Sequence, residues 1–153
     1  MRVKLNAYWL VAAMVAGAAS VALADASSLI KERQSHYKQI GAAAKGIHDE
    51  LNKPAPDVAA VQGFARQIDS LAPQIPSWFP KGTGPEAGVK TAAKPEIWTD
   101  PSGFAAVASA FAAEAHKFDG VAQSGNVDAI RAEYVNLGKA CFACHSKYRA
   151  KED

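Results

Sequence analysis

The sequence predicts an all-α fold, an antiparallel four-helix bundle, on three observations. Four stretches carry apolar residues at alternating spacings of three and four, the signature of a helix with one buried face. No stretch alternates with period two. The links between the first and second stretches, and between the third and fourth, are short, which makes those pairs antiparallel neighbours. Finally, the only two cysteines, Cys141 and Cys144, fall on the apolar stripe of the last stretch. Whatever they hold takes up core volume.

The chain opens with Arg2 and Lys4, a mostly apolar run from Ala7 to Ala19, and Ala22-Leu23-Ala24. Basic head, hydrophobic middle and A-x-A end make a secretory signal peptide over residues 1–24, cleaved after Ala24. An uncleaved membrane anchor is the alternative, but Gly17, Ser20 and the many alanines make the run weakly hydrophobic. Cleavage leaves one domain, residues 25–153, a length suited to a single core. The signal carries two of the 17 basic residues and none of the 15 acidic ones, so the remainder holds 15 of each. Neutrality excludes a nucleic-acid partner, which requires a basic stripe. Export without a membrane attachment points to the periplasm of a bacterium.

The first helical stretch runs from about Ser27 or Ser28, either a good cap, to Asn52, with Pro54 and Pro56 beyond it. Its stripe is Ile30, Arg33, Tyr37, Ile40, Ala44, Ile47 and Leu51. Arg33 and Tyr37 interrupt an apolar seam, and polar groups there require partners. The second starts at the cap Asp57 and carries Val58, Val61, Ala65, Ile68 and Ala72, until Pro73 and Pro76 end it. The third begins with Asp100-Pro101, a cap with proline at the first helical position. Phe104, Ala108, Phe111, Ala115, Phe118 and Ala122 mark its face. The fourth runs from about Asn126 to Lys151, with Val127, Ile130, Tyr134, Leu137, Cys141, Cys144 and Tyr148 inward. The connection from Pro73 to Thr99 is long, a length usually tied to function or local structure. Its Trp78-Phe79 and Trp98 are expected to cover apolar surface.

Cys141-Phe142-Ala143-Cys144-His145 reads C-x-x-C-H, the attachment motif for c-type haem. On a helix these three side chains share a face. Two thiols add to the haem vinyl groups, and the His145 imidazole reaches the iron as proximal ligand. A thioredoxin-like pair calls for a neighbouring βαβ pattern, which is absent from the sequence. A zinc site calls for two further ligands at suitable spacing, which scattered histidines supply poorly.

Only eight residues follow His145, so a ligand opposite it must come from upstream. Met1 and Met14, both in the signal peptide, are the only methionines, which excludes a Met ligand in the remainder. His36, His48 and His116 lie beside the apolar stripes. His36 is the best placed of them, next to Tyr37. A tyrosinate ligand is conceivable chemistry, but a neutral Tyr37 lining a pocket is the better reading. The iron is expected to be five-coordinate.

Arg33-Gln34-Ser35 with Tyr37, Lys94-Pro95-Glu96-Ile97-Trp98, and Cys141 to Arg149 resemble the cytochrome c′ family, the class II c-type cytochromes. The likeness covers essentially all of the chain after the signal. It implies a four-helix bundle enclosing one covalent haem c with five-coordinate, high-spin iron. It further implies that Tyr37 is the distal residue, that Arg33 approaches a haem propionate and that Arg149 lies beside the proximal ligand. A guanidinium suits a carboxylate well. Pairing through the first two helices as a homodimer is implied too.

The expected function is binding of nitric oxide or a similar diatomic gas, single-electron transfer with a small redox protein, or both, rather than enzymatic turnover. A low-spin carrier with His36 as second ligand is the rival. Peroxidase-like chemistry is a weaker one, since it calls for a distal acid–base group that only His36 or Tyr37 could supply.

Overall fold

A computed structural model describes the backbone of residues 8–151 and the side chains of residues 25–151. The segment read as a signal peptide lies outside the residues whose side chains are described. Among the described residues five α-helices follow in order: α1 Tyr8–Leu51, α2 Val58–Leu71, the single turn α3 Glu96–Thr99, α4 Pro101–Gln123 and α5 Val127–Tyr148. α1, α2, α4 and α5 make the four-helix bundle. Neither Ser27 nor Ser28 caps α1, because the helix continues upstream of them. The alanine-rich sequence there favours continuation over a cap.

The other starts follow the capping chemistry. Asp57 accepts a hydrogen bond from the Ala60 N–H, Asp100 from the Gly103 N–H, and Asn126 from the N–H groups of Asp128 and Ala129. Each satisfies a backbone donor that has no partner within its helix. α2 stops at Leu71, but Pro73 does not end helical geometry. The chain tightens into a 3₁₀ segment, Ala72–Trp78, that tolerates Pro76. α5 stops at Tyr148 rather than Lys151, because the next residues leave the helix to pair with the long connection. The Ala150 N–H donates to the Ala92 carbonyl at 2.8 Å and the Lys94 N–H to the Tyr148 carbonyl at 3.0 Å. This bridge between Ala93 and Arg149 is antiparallel.

The core follows the stripes. All six expected residues of α4 are buried, as are Val61, Ala65, Ile68 and Ala72 after α2's cap. On α1, Ile30, Ile40, Ile47 and Leu51 are buried, joined by Ala43. α1 packs on α2, α2 on α4, and α4 on α5. α1 and α5 are joined at one end by hydrogen bonds. The Tyr134 hydroxyl donates to the Ala44 carbonyl at 2.8 Å, and Arg131 donates to the Leu51 carbonyl through Nε at 3.3 Å and Nη2 at 3.1 Å. Beyond those ties a cavity lies between the two helices.

Asp100 fixes the far end of α5. Besides capping α4, its Oδ2 accepts from Lys147 Nζ at 2.7 Å and from the Tyr148 hydroxyl at 2.9 Å. One carboxylate thus ties the start of α4 to the last turn of α5.

Candidate haem site

The cavity has a volume of about 720 Å³, bounded by α1, α4, α5 and the long connection. That is within the range of about 300–1,000 Å³ typical of cofactor pockets. Cys141, Cys144 and His145 all face it from α5, and Tyr37, Ile40 and Ala44 face it from α1. Phe104, Ala108 and Phe111 of α4 close it, with Ile75, Phe79 and Ile97 from the connection and α3. The helical spacing of the motif thus delivers two thiols and one imidazole to a single apolar volume.

Both cysteines are free thiols. Burial raises the pKa of each, with the Cys141 thiol adding to the effect at Cys144. Burial, and next the Arg149 guanidinium, lower the pKa of His145. A neutral imidazole is the form that ligates a metal. Burial, and next the Cys144 thiol, raise the pKa of Tyr37, against the opposing pull of Arg33. The shift favours the neutral phenol over the phenolate.

Arg33 is only 3% exposed. Its Nη1 donates to Thr83 Oγ1 at 3.1 Å and to the Trp78 carbonyl at 3.5 Å; its Nη2 donates to the Thr83 carbonyl at 2.9 Å and to Thr91 Oγ1 at 3.0 Å. The guanidinium also lies 4.5 Å from the Phe79 ring centroid, a cation–π distance. All these partners are neutral. Burying a charge without a counter-charge is costly, and burial does lower the pKa of Arg33. Among the described residues, the charged side chains lining the cavity are Arg33, Lys38, Lys90 and Arg149, with no carboxylate. A large apolar group with carboxylates on its edge fits this cavity in volume and in charge.

Aromatic rings form one side of the pocket. Tyr37 meets Trp78 edge-on at 5.4 Å, Phe79 meets Phe104 at 5.0 Å, and Phe104 meets Tyr148 at 5.3 Å. Trp98 Nε1 donates to the carbonyls of Phe79 at 3.1 Å and Pro80 at 3.2 Å, holding the connection over the rings. Trp78, Phe79 and Trp98 thus cover apolar surface, as their sequence context suggested. Thr83 and Thr91 had no such signal, since nothing local marks a threonine as the partner of an arginine on another element.

The upstream histidines lie elsewhere. His36 stacks on Trp78 at 4.6 Å and lines a separate cavity of about 250 Å³ with Leu29, Glu32 and Gln74. His48 contacts Asn52, and His116 contacts Asp69. His145 is the histidine that lines the large cavity.

A four-helix bundle whose last helix presents a C-x-x-C-H motif to one apolar cavity is a c-type haem protein by architecture. Residues 28–149 match the family model for cytochrome c′. Cytochrome c′ of Rubrivivax gelatinosus is 33% identical over 118 residues, which cover 76% of this chain and 84% of that one. A solved cytochrome c′ with ligand-controlled dimer dissociation superimposes with a TM-score of 0.76 at 29% identity, over 82% of this chain and 97% of that one. The nitric oxide complex of a cytochrome c prime mutant from Alcaligenes xylosoxidans gives 0.74 at 27% identity, over 83% and 97%. The chain belongs to the cytochrome c′ family, whose members bind one covalently attached c-type haem.

Proposed function

We propose that this protein is a periplasmic, non-enzymatic cytochrome that binds nitric oxide or a similar diatomic gas at five-coordinate haem iron, with single-electron transfer as its second capacity. The observation that carries the reading is the cavity itself: two thiols and one imidazole on its α5 wall, and Tyr37 with apolar side chains on the others. Cys141 and Cys144 would hold the haem as thioethers, His145 would be its axial ligand, and Arg33 would sit near a propionate with Arg149 beside His145. When bound, the haem supplies the iron that takes the gas and changes oxidation state.

This chain's own residues set the selectivity. Tyr37 meets Trp78 edge-on and packs near Phe79, so a ligand entering from the α1 side must displace packed rings. That cost selects ligands by size and bond geometry. The His36-ligated carrier is the weaker reading, because His36 lines the smaller cavity with Trp78. Among the described residues no helix is long and apolar enough to cross a membrane, which is compatible with release after export. The nitric oxide complex and the dimer of the solved relatives suggest the same ligand and a homodimer here.

The test is the absorption spectrum of the purified ferrous protein before and after nitric oxide. Broad, unsplit bands that shift on addition are expected. Sharp α and β bands indifferent to the gas would mean a sixth protein ligand and end the five-coordinate reading.

A further inference from the structure

The cavity does not account for the outer face of α5. Val135 is 57% exposed and Phe142 71%, and with Leu29 they are the large apolar side chains left open among the described residues. Val135 and Phe142 stand seven residues apart, two helical turns, and so share a face. Lys139 lies between them and Arg131 and Arg149 flank them. Most of the Phe142 ring stays in water, where an apolar side chain is disfavoured. Phe142 also lies between the two cysteines, directly behind the cavity wall.

Charge around this face has one dominant sign. Along this face of α5 the basic residues are Arg131, Lys139 and Arg149. The chain beyond residue 24 balances 15 basic against 15 acidic residues, so the concentration is positional rather than compositional. Two acids lie near: Asp128 faces Arg131 at 3.5 Å, and Asp49 pairs with Lys45. Lys139 is exposed to solvent. An apolar centre within a charged rim is the anatomy of a protein interface. The rim's sign selects an acidic partner, and a second copy of this chain would bring like charge against it.

We infer that the Val135–Phe142 face of α5 docks an acidic electron-carrying protein at the wall that bears Cys141 and Cys144. The inference rests on the haem reading above. In the reducing direction one electron leaves the partner and converts ferric to ferrous iron; no bond forms or breaks and no proton moves at the docking face.

Reduction of the ferric holoprotein by an acidic flavodoxin tests it, the flavin passing from anionic hydroquinone to neutral semiquinone as it gives one electron. The rate should fall several-fold between about 50 and about 300 mM salt as screening shortens the steering field. Lys139→Glu and Phe142→Ser should each slow it by roughly tenfold at low salt. Arg66→Glu on α2, diagonally across the bundle, should leave it within about twofold. Rates insensitive to salt and to both α5 variants, or slowed equally by Arg66→Glu, would overturn the docking face. So would sedimentation with phosphatidylglycerol vesicles that depends on Phe142 and Lys139 while the flavodoxin rates stay unchanged, which would make it a membrane-binding face. The haem spectrum separates the two readings. Normal absorbance with unchanged rates ends only the docking inference, whereas absent haem absorbance ends both.

Discussion

Arg33 and Thr83 are joined twice across fifty residues, Nη1 to the hydroxyl at 3.1 Å and Nη2 to the carbonyl at 2.9 Å. The Thr83 hydroxyl in turn donates to the Pro80 carbonyl at 2.7 Å. α1 thereby holds the connection that roofs the cavity. The link is backbone as well as side chain, so it fixes where the roof lies and not merely that it is near.

Arg33→Lys keeps the charge but replaces a rigid fork with a single ammonium. It is expected to cost about 2 kcal/mol through lost buried hydrogen bonds. Guanidinium chloride unfolding followed by helical circular dichroism measures this. A variant as stable as wild type would mean the clamp contributes nothing.

The Asp100 carboxyl is held below its ordinary range, first by the hydrogen bond from Lys147, then by Tyr148 and the Gly103 N–H. A lowered folded pKa stabilises the fold above the unfolded value of about 3.9 and ceases to do so as pH falls through the folded value. Asp100→Asn should therefore melt earlier than wild type at pH 7, with the gap narrowing in acid. A gap independent of pH would count against this role.

Tyr37 lines the cavity from α1, packed edge-on against Trp78. Tyr37→Ala removes the packed ring and should raise the carbon monoxide association rate by about tenfold, some 1.4 kcal/mol of barrier. Tyr37→Phe, which keeps the ring, should stay within a few-fold. Equal rates for all three proteins in flash photolysis would show that the ring does not gate entry.

Two helical glycines should respond oppositely to alanine. Helix propensity alone favours Ala by about 0.8–1 kcal/mol. At Gly63 an added Cβ meets nothing within 4 Å, so Gly63→Ala should gain most of that. At Gly46 the Cβ would come within 2.6 Å of the Phe64 ring, where overpacking of about 1–3 kcal/mol outweighs propensity. Thermal melts of both variants decide it; a stabilised Gly46→Ala would mean Phe64 turns aside freely.

Sequence pattern conveyed the helices well because burial on a helix repeats with its own geometry. The α4 stripe from Phe104 to Ala122 is buried at every expected position. Ala43 escaped notice because a small residue beside a stripe looks like filler. The motif on α5 was equally legible, as its chemistry lies within five consecutive residues. What the sequence could not convey were pairings set by tertiary distance. Asp100 read as a cap and nothing more, although Lys147 and Tyr148 reach it from 47 and 48 residues away. Arg33 read as a polar residue on a buried seam, and so it is, but its neutral partners Thr83 and Thr91 carry no mark in the chain. His36 adjoins Tyr37 in sequence, yet the helical turn between neighbours points the two into different cavities.

The cavity walls come from opposite ends of the chain, Tyr37 on α1 and Cys141 on α5. The local hairpins, α1 with α2 and α4 with α5, can each form without it. Long-range closure is slow compared with local helix pairing, so the pocket is expected to take shape after the two hairpins. An emerging chain would display its thiols on a formed helix while the opposite wall was still distant. Pulsed amide exchange during refolding should then protect α4 and α5 before it protects the connection at Thr83 and Thr91. Access for anything that must be joined to Cys141 and Cys144 is thus greatest before folding ends, and the finished fold closes around it.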